Sequence, residues 1–412
     1  MWLRYLANMK FEDFAQINPK VQIPKNSDVS FVEMADLVPS IRSVNPSAEK
    51  LLKGSGSKFS NYDTLFSRIT PCLQNGKISQ VKNLKNNVGF GSTEFFVFRG
   101  RDGVSISDFV YYLSQSELIK EPAIKSMVGA SGRQRADLDV IRNIDIKHYS
   151  IDEQIQIAGL LSNYDNLIEN NNRRIAILED MAQSLYREWF VNFRYPNHED
   201  NLDADGDAKL VDSPLGQIPE GWEVKTAAEA ITINPRTKLA KEGEKPFVGM
   251  SGLSESSMVI SDIIEKSGNS GAKFINGDTL FARITPCLQN GKTGYVQFLN
   301  QEQPVGFGST EFIVLRESED LSSEYIYLLS RSNNFREHAI KSMSGATGRQ
   351  RVHPDSFASY YLAVPPKMVM NEFTKLVKPM FRSIFNLSQR NQNLKQQRDM
   401  LLPKLISGAI EL

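Results

Sequence analysis

The sequence predicts a mixed α+β fold in which two similar globular domains are each followed by a long helix, and the two helices pair as a coiled coil. Three observations predict it: an internal repeat, short β-like runs broken by helical pieces in each copy, and a seven-residue apolar pattern in both long helices. With 412 residues, 41% hydrophobic and 23% charged, the chain has the profile of a soluble protein of more than one domain.

The internal repeat covers about half of the chain per copy. Three segments return in the same order about 216 residues later: 68–77 at 283–292, 88–95 at 305–312, and 125–135 at 341–351. The first two return unchanged, and the third returns with Val128 replaced by Ser344 and Ser131 by Thr347. Chance does not give three such matches in order, so the chain is a tandem duplication.

Within each copy the short apolar runs alternate between two types. Phe95–Phe98 and Phe312–Leu315 predict strands, whereas Phe109–Leu113 and Tyr325–Leu329 predict helical pieces. A mixed domain of helices and strands therefore precedes each long helix.

The long helices are marked by their ends. The first is predicted from about Ile151 to Phe190, because Ser150 and Glu153 have the spacing of a capping box. The second is predicted from about Met368 to Ile406, with Gly408 just past its end.

Both long helices carry a heptad pattern, which predicts a coiled-coil seam. Its first positions are Leu161, Ile168, Ile175, Ala182 and Trp189 in one helix and Val377, Ile384, Asn391, Arg398 and Leu405 in the other. The polar intrusions weaken the seam or fix its register, and the alternative is two helices that lie on separate domain cores. If the helices pair antiparallel, they form a rod of roughly 60 Å with one domain near each end.

The segment between the copies is acidic. Asn197 to Pro214 is predicted to be a solvated connector. Its run from Asp203 to Asp207 resembles a calcium loop faintly, but the glycine is misplaced and no glutamate closes the frame.

Hydropathy and charge indicate where in the cell the protein is expected and what it binds. No apolar run approaches the roughly 18 residues of a membrane span, and the N-terminus does not resemble a secretory signal, so the cytoplasm is expected. The 48 basic and 48 acidic residues balance. This neutrality is not typical of a nucleic-acid binder, and it suggests that a partner supplies part of the phosphate attraction.

The residues predict no catalytic centre. Pro71 and Pro286 stand where a phosphate-binding loop needs its first glycine, and no Asn-Pro-Pro-Tyr motif of an amino-methyltransferase occurs. The histidines and the two cysteines have no zinc spacing, and Cys72 and Cys287 are interpreted as small buried thiols. A single-chain enzyme is therefore not expected.

The duplicated segments are instead rich in groups that hydrogen-bond DNA bases and phosphates. The candidate DNA-binding residues of the first copy are Arg68, Thr70, Gln74, Asn75, Lys77, Ser92, Thr93, Lys125, Ser131, Arg133, Gln134 and Arg135. Those of the second copy are Arg283, Thr285, Gln289, Asn290, Lys292, Ser309, Thr310, Lys341, Thr347, Arg349, Gln350 and Arg351.

Each of these segments also has a purely structural interpretation. The glycines beside Arg133 and Arg349 suit a surface turn, and the Asn-Gly pairs are turn signals in their own right. In the Ser-Thr-Glu segment, Glu94 is a possible acceptor from cytosine, whereas Phe90 and Phe95 are predicted to be core residues.

The order of these features resembles the specificity subunit of type I restriction–modification enzymes. The resemblance covers the whole chain and includes the Gly-Ala-Ser/Thr-Gly-Arg-Gln-Arg loops, the segment Ser213–Trp222 and the segment Trp189–Phe193. It implies this division of the chain: a target-recognition domain at 1–149, a long helix at 150–195, a linker at 196–221, a second target-recognition domain at 222–364 and a second long helix at 365–412.

The resemblance also implies partners and cofactors. Each target-recognition domain would read one half of a bipartite site in double-stranded DNA, and antiparallel helices would space the domains and dock two methyltransferase subunits. Restriction subunits that translocate DNA would join the complex. S-adenosylmethionine, ATP and Mg²⁺ would belong to those partners, and no cofactor is expected in this chain.

The two copies are more alike than recognition domains of one such subunit usually are. A near-palindromic target with a gap is therefore expected, although 78–87 and 293–304 differ and would make the half-sites unequal. The alternative function is a two-headed scaffold that binds another protein.

Overall fold

The computed structural model describes residues 8–23, 28–52, 55–200, 209–346 and 348–412. The chain divides into two compact units: unit 1 is Met1–Asn170 with Arg390–Leu412, and unit 2 is Asn171–Gln389. Each unit contains one copy of the repeat and a part of both long helices. The domain boundaries expected from the sequence stay a prediction, and Asp203–Asp207 lies outside the described residues.

The helices that the sequence predicted are present, with ends within two residues of the predicted ones. Within the described residues, α-helices span Phe11–Phe14, Ser107–Gln115, Glu117–Lys125, Leu138–Arg142, Ile151–Phe190, Ala227–Ala230, Ser323–Arg331, Asn333–Lys341 and Lys367–Ser407. Short 3-10 helices span Lys85–Asn87, His198–Asp200, Met250–Gly252 and Pro354–Ser359. The capping box at the start of the first long helix is confirmed, since Ser150 and Glu153 exchange main-chain N–H bonds at 2.7 and 3.2 Å.

Unit 1 is built on mixed sheets. One sheet has the strand order Ala15–Ile17, Phe95–Gly100, Thr64–Ser67, Ile78–Val81, Ser43–Val44. A second has the order Ala48–Leu51, Asp28–Val32, Val88–Gly91, Ser57–Ser60, and Met9–Lys10 pairs with Asp145–Ile146. The pairing of Asp28–Val32 with Val88–Gly91 is parallel.

Unit 2 repeats this plan. One sheet has the order Thr232–Ile233, Phe312–Arg316, Thr279–Ala282, Thr293–Tyr295, and another has Ile263–Ser267, Glu244–Val248, Gly306–Gly308, Ala272–Phe274. Glu223–Thr226 pairs with Tyr361–Val364, as the first and last strands of unit 1 do. The pairing of Glu244–Val248 with Gly306–Gly308 is again parallel.

The segment just before the second copy contains a hairpin that the sequence did not predict. Leu210–Ser213 pairs antiparallel with Gly216–Pro219 inside the segment expected to be a linker. Ile218 and Trp222 are buried in the core of unit 2. These two residues attach the hairpin to the core, whereas 209–212 are exposed to solvent, as expected for the connector.

In unit 1 the two long helices run antiparallel. Leu161, Leu405 and Ile406 share one buried core. The Tyr149 hydroxyl, just before the first long helix, donates to the carbonyl of Ile406 at 2.5 Å. Asp165, which follows Leu161 in the first long helix, pairs with Arg398, which precedes Leu405 in the second long helix. The order of contacts thus reverses between the helices.

In unit 2 the helices also run antiparallel. The ring of Phe373 packs against Trp189 and Phe190, with centroids 5.6 and 4.7 Å apart. Ala182 lines the same cleft as Phe381, and both are buried. The heptad prediction is confirmed, because the apolar heptad positions are buried in each unit.

Candidate nucleic-acid interface

In unit 1 the fold brings the three duplicated segments to one place. The main-chain N–H of Arg68 donates to the carbonyl of Glu94 at 3.0 Å, and the N–H of Ala136 donates to the carbonyl of Arg68 at 2.8 Å. Thr70 and Gln134 exchange two bonds, from Thr70 N–H to the Gln134 carbonyl at 2.9 Å and from Gln134 N–H to Thr70 Oγ1 at 3.0 Å. The predicted site residues of these segments are therefore neighbours in space.

Unit 2 repeats these contacts with its own residues. The main-chain N–H of Arg283 donates to the carbonyl of Glu311 at 3.0 Å. The N–H of Val352 donates to the carbonyl of Arg283 at 2.9 Å. Thr285 and Gln350 exchange bonds of 3.1 and 3.2 Å. Thr70 and Thr285, which the sequence suggested as DNA contacts, thus anchor the loops.

The glycine-containing loop that each threonine anchors, which begins at Gly129 in unit 1 and at Gly345 in unit 2, is an ordered turn that needs its glycines. Val128 and Arg135 pair across its base, at 3.1 and 2.9 Å between their main-chain groups. Gly129 and Gly132 have φ of 133° and 78°, and the corresponding glycines of unit 2 have φ of 120° and 80°. L-residues with a Cβ rarely adopt this region, so the sequence needs glycine at these positions.

A carboxylate holds the last arginine of each loop. Arg135 donates to both carboxylate oxygens of Glu94, with Nε at 3.1 and 3.0 Å and Nη2 at 2.6 Å from Oε1. Arg351 does the same to Glu311 at 2.9, 2.9 and 2.6 Å. These hydrogen bonds hold the pKa of both glutamates below its usual value, so the pairs are charged.

A second arginine lies behind each glutamate. Arg68 Nε donates to Glu94 at 3.2 Å. Arg283 Nε is buried and has no hydrogen-bond partner among the described atoms, although its charge also lowers the pKa of Glu311. Neither glutamate is therefore free to accept from a base in this state.

Other cations of the loops face solvent. Arg133 and Arg349 are exposed and make no ion pair with a described residue. Lys125 is 72% exposed and pairs loosely with Glu121, as Lys341 does with Glu337. Such exposed pairs contribute little to stability, so these cations remain available to a ligand.

The turn that follows Thr70 has mixed roles. Gln74 and Asn75 are exposed, as are Gln289 and Asn290 in unit 2. In contrast, the lysine that follows the turn donates inward in both units. Lys77 Nζ donates to the carbonyl of Met34 at 2.7 Å, and Lys292 Nζ donates to the carbonyl of Met250 at 3.1 Å. Both lysines brace the turn, which their sequence position did not reveal.

In the Ser-Thr-Glu segments only one hydroxyl faces outward. The Oγ of Ser92 accepts from the N–H of Glu94 at 3.2 Å, and Ser309 does the same for Glu311 at 3.1 Å. Thr93 and Thr310, in contrast, are exposed. Ser131 is also exposed, and Thr347 lies outside the described residues.

The comparisons with known proteins agree with this architecture. The family model described as "Type I restriction modification DNA specificity domain" matches the chain twice, at residues 7–180 and 219–396. The chain belongs to this family. Chains of this family recognise DNA sequence for a type I restriction–modification system and are not themselves catalytic.

Curated specificity subunits and a solved structure are among the relatives. The chain is 27% identical over 355 residues to the MjaIX specificity subunit of Methanocaldococcus jannaschii, which covers 82% of this chain and 76% of that protein. It is 33% identical over 171 residues to the EcoEI specificity subunit of Escherichia coli, 39% of this chain and 28% of that protein. The S subunit from M. genitalium, with a TM-score of 0.51 and 14% identity over 98% of both chains, shares the fold.

The turn after Thr285 in unit 2 has two contacting residues, Arg331 and Glu255, that the turn after Thr70 in unit 1 lacks. Neither residue was identified from the sequence. In unit 2, Arg331 donates to the carbonyl of Glu255 at 3.0 Å, and the side chain of Glu255 accepts from Asn290 at 3.0 Å. The corresponding residues of unit 1 are Gln115, whose Nε2 donates instead to the carbonyl of Ile78 at 2.9 Å, and Pro39, whose side chain has no acceptor. An alignment of the two copies shows these replacements, but their partners are visible only in the fold.

Within the residues that the structure describes, no group of three or more His, Cys, Asp or Glu side chains is placed to hold a metal ion. Over the same residues, no helix has the length and hydrophobicity of a membrane span. Cys72 and Cys287 are free thiols that are partly buried, not fully buried as expected.

Proposed function

We propose that this chain reads a bipartite, gapped DNA target, with each unit contacting one half-site through its duplicated loops. The observation that carries the proposal is the same in both units: exposed arginines stand on an ordered turn whose base is anchored to the two other duplicated segments. An arginine held in place in this way can bind base edges or phosphates of a duplex.

The target is proposed to be near-palindromic. The contacts that position Arg135 are the contacts that position Arg351, so the two units would read similar bases. The inverted orientation of the half-sites rests on the two-fold repeat expected from the sequence. The different contacts of Asn75 and Asn290 would make the half-sites similar rather than identical.

The proposed partners are two methyltransferase subunits and restriction subunits that translocate DNA. The names of the relatives support this assignment, since each is a subunit of a type I restriction enzyme. S-adenosylmethionine, ATP and Mg²⁺ would be bound by those partners, and the complex would act in the cytoplasm on the cell's DNA.

The target can be mapped by sequencing methylated adenines in the genome of cells that carry the complete system. We expect one motif of two similar half-sites, inverted and separated by a fixed gap, and its methylation should disappear when the gene of this chain is deleted. Two unrelated half-sites or a direct repeat would contradict the near-palindrome. Methylation that persists without the chain would contradict the proposed function.

A further inference from the structure

The carboxylate in the middle of each cationic cluster is the unexpected feature of the proposed interface. Glu94 and Glu311 lie beside the loop arginines, and their side chains are only 20% and 22% exposed. A carboxylate next to DNA repels phosphate, so a surface that only attracted the backbone would not place one there. The glutamates therefore need another explanation.

The hydrogen bonds of the pair leave a defined edge of the guanidinium free. Glu94 accepts from Nε and Nη2 of Arg135, along one side of the group. A guanidinium has five N–H donors in a rigid plane. Both N–H groups of Nη1 and one of Nη2 remain, and two of these point outward from the end of the side chain.

Two parallel donors are what the major-groove edge of guanine accepts, at O6 and N7. Arg135 and Arg351 are also about half exposed, at 45% and 44%. Because their planes are fixed by a bidentate contact, less rotamer freedom is lost when the outer edge binds.

The glutamates are themselves held by the fold. The carbonyl of Glu94 accepts from the N–H of Arg68, and its own N–H donates to Ser92. This arrangement is kept in both copies although neighbouring positions have diverged, such as Pro39 against Glu255. The identical Ser-Thr-Glu segments are thereby explained.

We infer that Glu94 and Glu311 are positioning residues for base recognition: each orients an arginine, Arg135 or Arg351, so that its outer edge reads a guanine in the half-site. The inference rests on the proposed function and deepens it. It assigns guanine specificity to these two arginines and leaves Arg133 and Arg349 to other contacts.

The test is a selection of bound sequences from randomised duplex DNA by the full chain, co-expressed with the methyltransferase subunit of its own system. For the double variant E94Q/E311Q we expect the preference for one G·C pair in each half-site to fall about tenfold or more. Affinity for non-target DNA should stay the same or rise, because two negative charges are lost. An unchanged base preference in this variant would overturn the inference.

A matched control removes one negative charge per unit from a helix outside the Ser-Thr-Glu segments. Glu121 and Glu337 occupy equivalent positions in the two copies and pair only with exposed lysines. E121Q/E337Q should alter affinity for all sequences alike and leave the base preference intact. A loss of preference in this control equal to that in E94Q/E311Q would show a general charge effect and overturn the inference.

A second variant protects the test against misfolding. Lysine retains a positive charge but has no second parallel donor, so R135K/R351K should keep affinity for non-target DNA and lose the guanine preference. If this variant kept the full preference, the oriented guanidinium would not be what reads the guanine, and the inference would be overturned. If the wild-type complex selects no gapped motif at all, the proposed function itself fails, which is a different outcome from selection with unchanged preference.

Discussion

The buried ion pair between Asp165 and Arg398 in unit 1 has an apolar equivalent in unit 2. Both side chains are less than a tenth exposed, and the hydroxyl of Tyr112 also donates to Asp165 at 2.6 Å. At the equivalent positions of unit 2 stand Phe381 and Ala182, both buried. The same helix contact is therefore polar in one unit and apolar in the other.

Removing one member of this pair should be costly. In the variant D165A the guanidinium of Arg398 loses its buried partner, and we expect a loss of about 3 kcal/mol of stability in unit 1. Denaturant unfolding followed by circular dichroism measures the loss. The loss should affect the transition that contains unit 1.

Asp399 provides the matched control, because it contacts the same arginine from the surface. Its carboxylate is 57% exposed and lies 2.9 Å from Arg398 Nη2. D399A should cost about 1 kcal/mol or less, as exposed pairs do. Equal losses in the two variants would show that burial does not set the strength of the contact.

The second long helix shows that packing can override an unfavourable helix propensity. The second long helix continues through Pro379 and Pro403, which are exposed. Each proline removes one main-chain N–H, and water can bind the carbonyl that loses its partner because both sites face solvent. The apolar seam therefore sustains the helix where local propensity opposes it.

The first long helix contains an exposed glycine, Gly159, at the position where the second has Lys375. A Cβ at Gly159 would meet nothing within 4 Å. We therefore expect G159A to stabilise unit 1 by about 0.5–1 kcal/mol, because alanine loses less backbone freedom on folding. Thermal unfolding measures this gain.

Gly132 supplies the contrast, since a Cβ there would also meet nothing within 4 Å but φ is 78°. G132A should destabilise its loop, because alanine is strained in the left-handed region. If G132A and G159A changed stability in the same direction, backbone conformation would not be the deciding factor.

At the scale of the whole molecule, the net charge of zero conceals the local charge of the loops. The exposed arginines Arg133 and Arg349 carry one such charge in each unit. A protein that binds phosphates releases counterions, so its affinity falls steeply with salt. Salt dependence can thus detect both loops in one measurement.

We expect R133A/R349A to weaken binding of the complex to target DNA and to flatten the dependence of log K on log salt concentration. Each phosphate contact removed lowers the slope by about 0.9. Titrations of labelled duplex at several salt concentrations measure both effects. The control is R142A, which removes a partly exposed arginine outside the loop. Unchanged affinity and slope in the double variant would remove these loops from the interface.

Much of the fold was predictable because it depends on local patterns. Repetition identified the duplication and heptad spacing identified the seam, and the glycines beside Arg133 suited a surface turn, whose left-handed residues appear only in the fold. Phe90 and Phe95 were correctly expected in the core. Each of these inferences needs only the residue types within a short window or a comparison of the two copies.

The sequence by itself thus determined that there are two copies, that each mixes helices and strands before a long helix, and which segments are polar. Only the tertiary structure decided that Glu94 holds Arg135, that Lys77 faces a carbonyl, and that Arg398 meets Asp165. The physical reason is distance along the chain. A side chain's partner depends on how separate elements pack in three dimensions, and neither periodicity nor composition encodes that pairing.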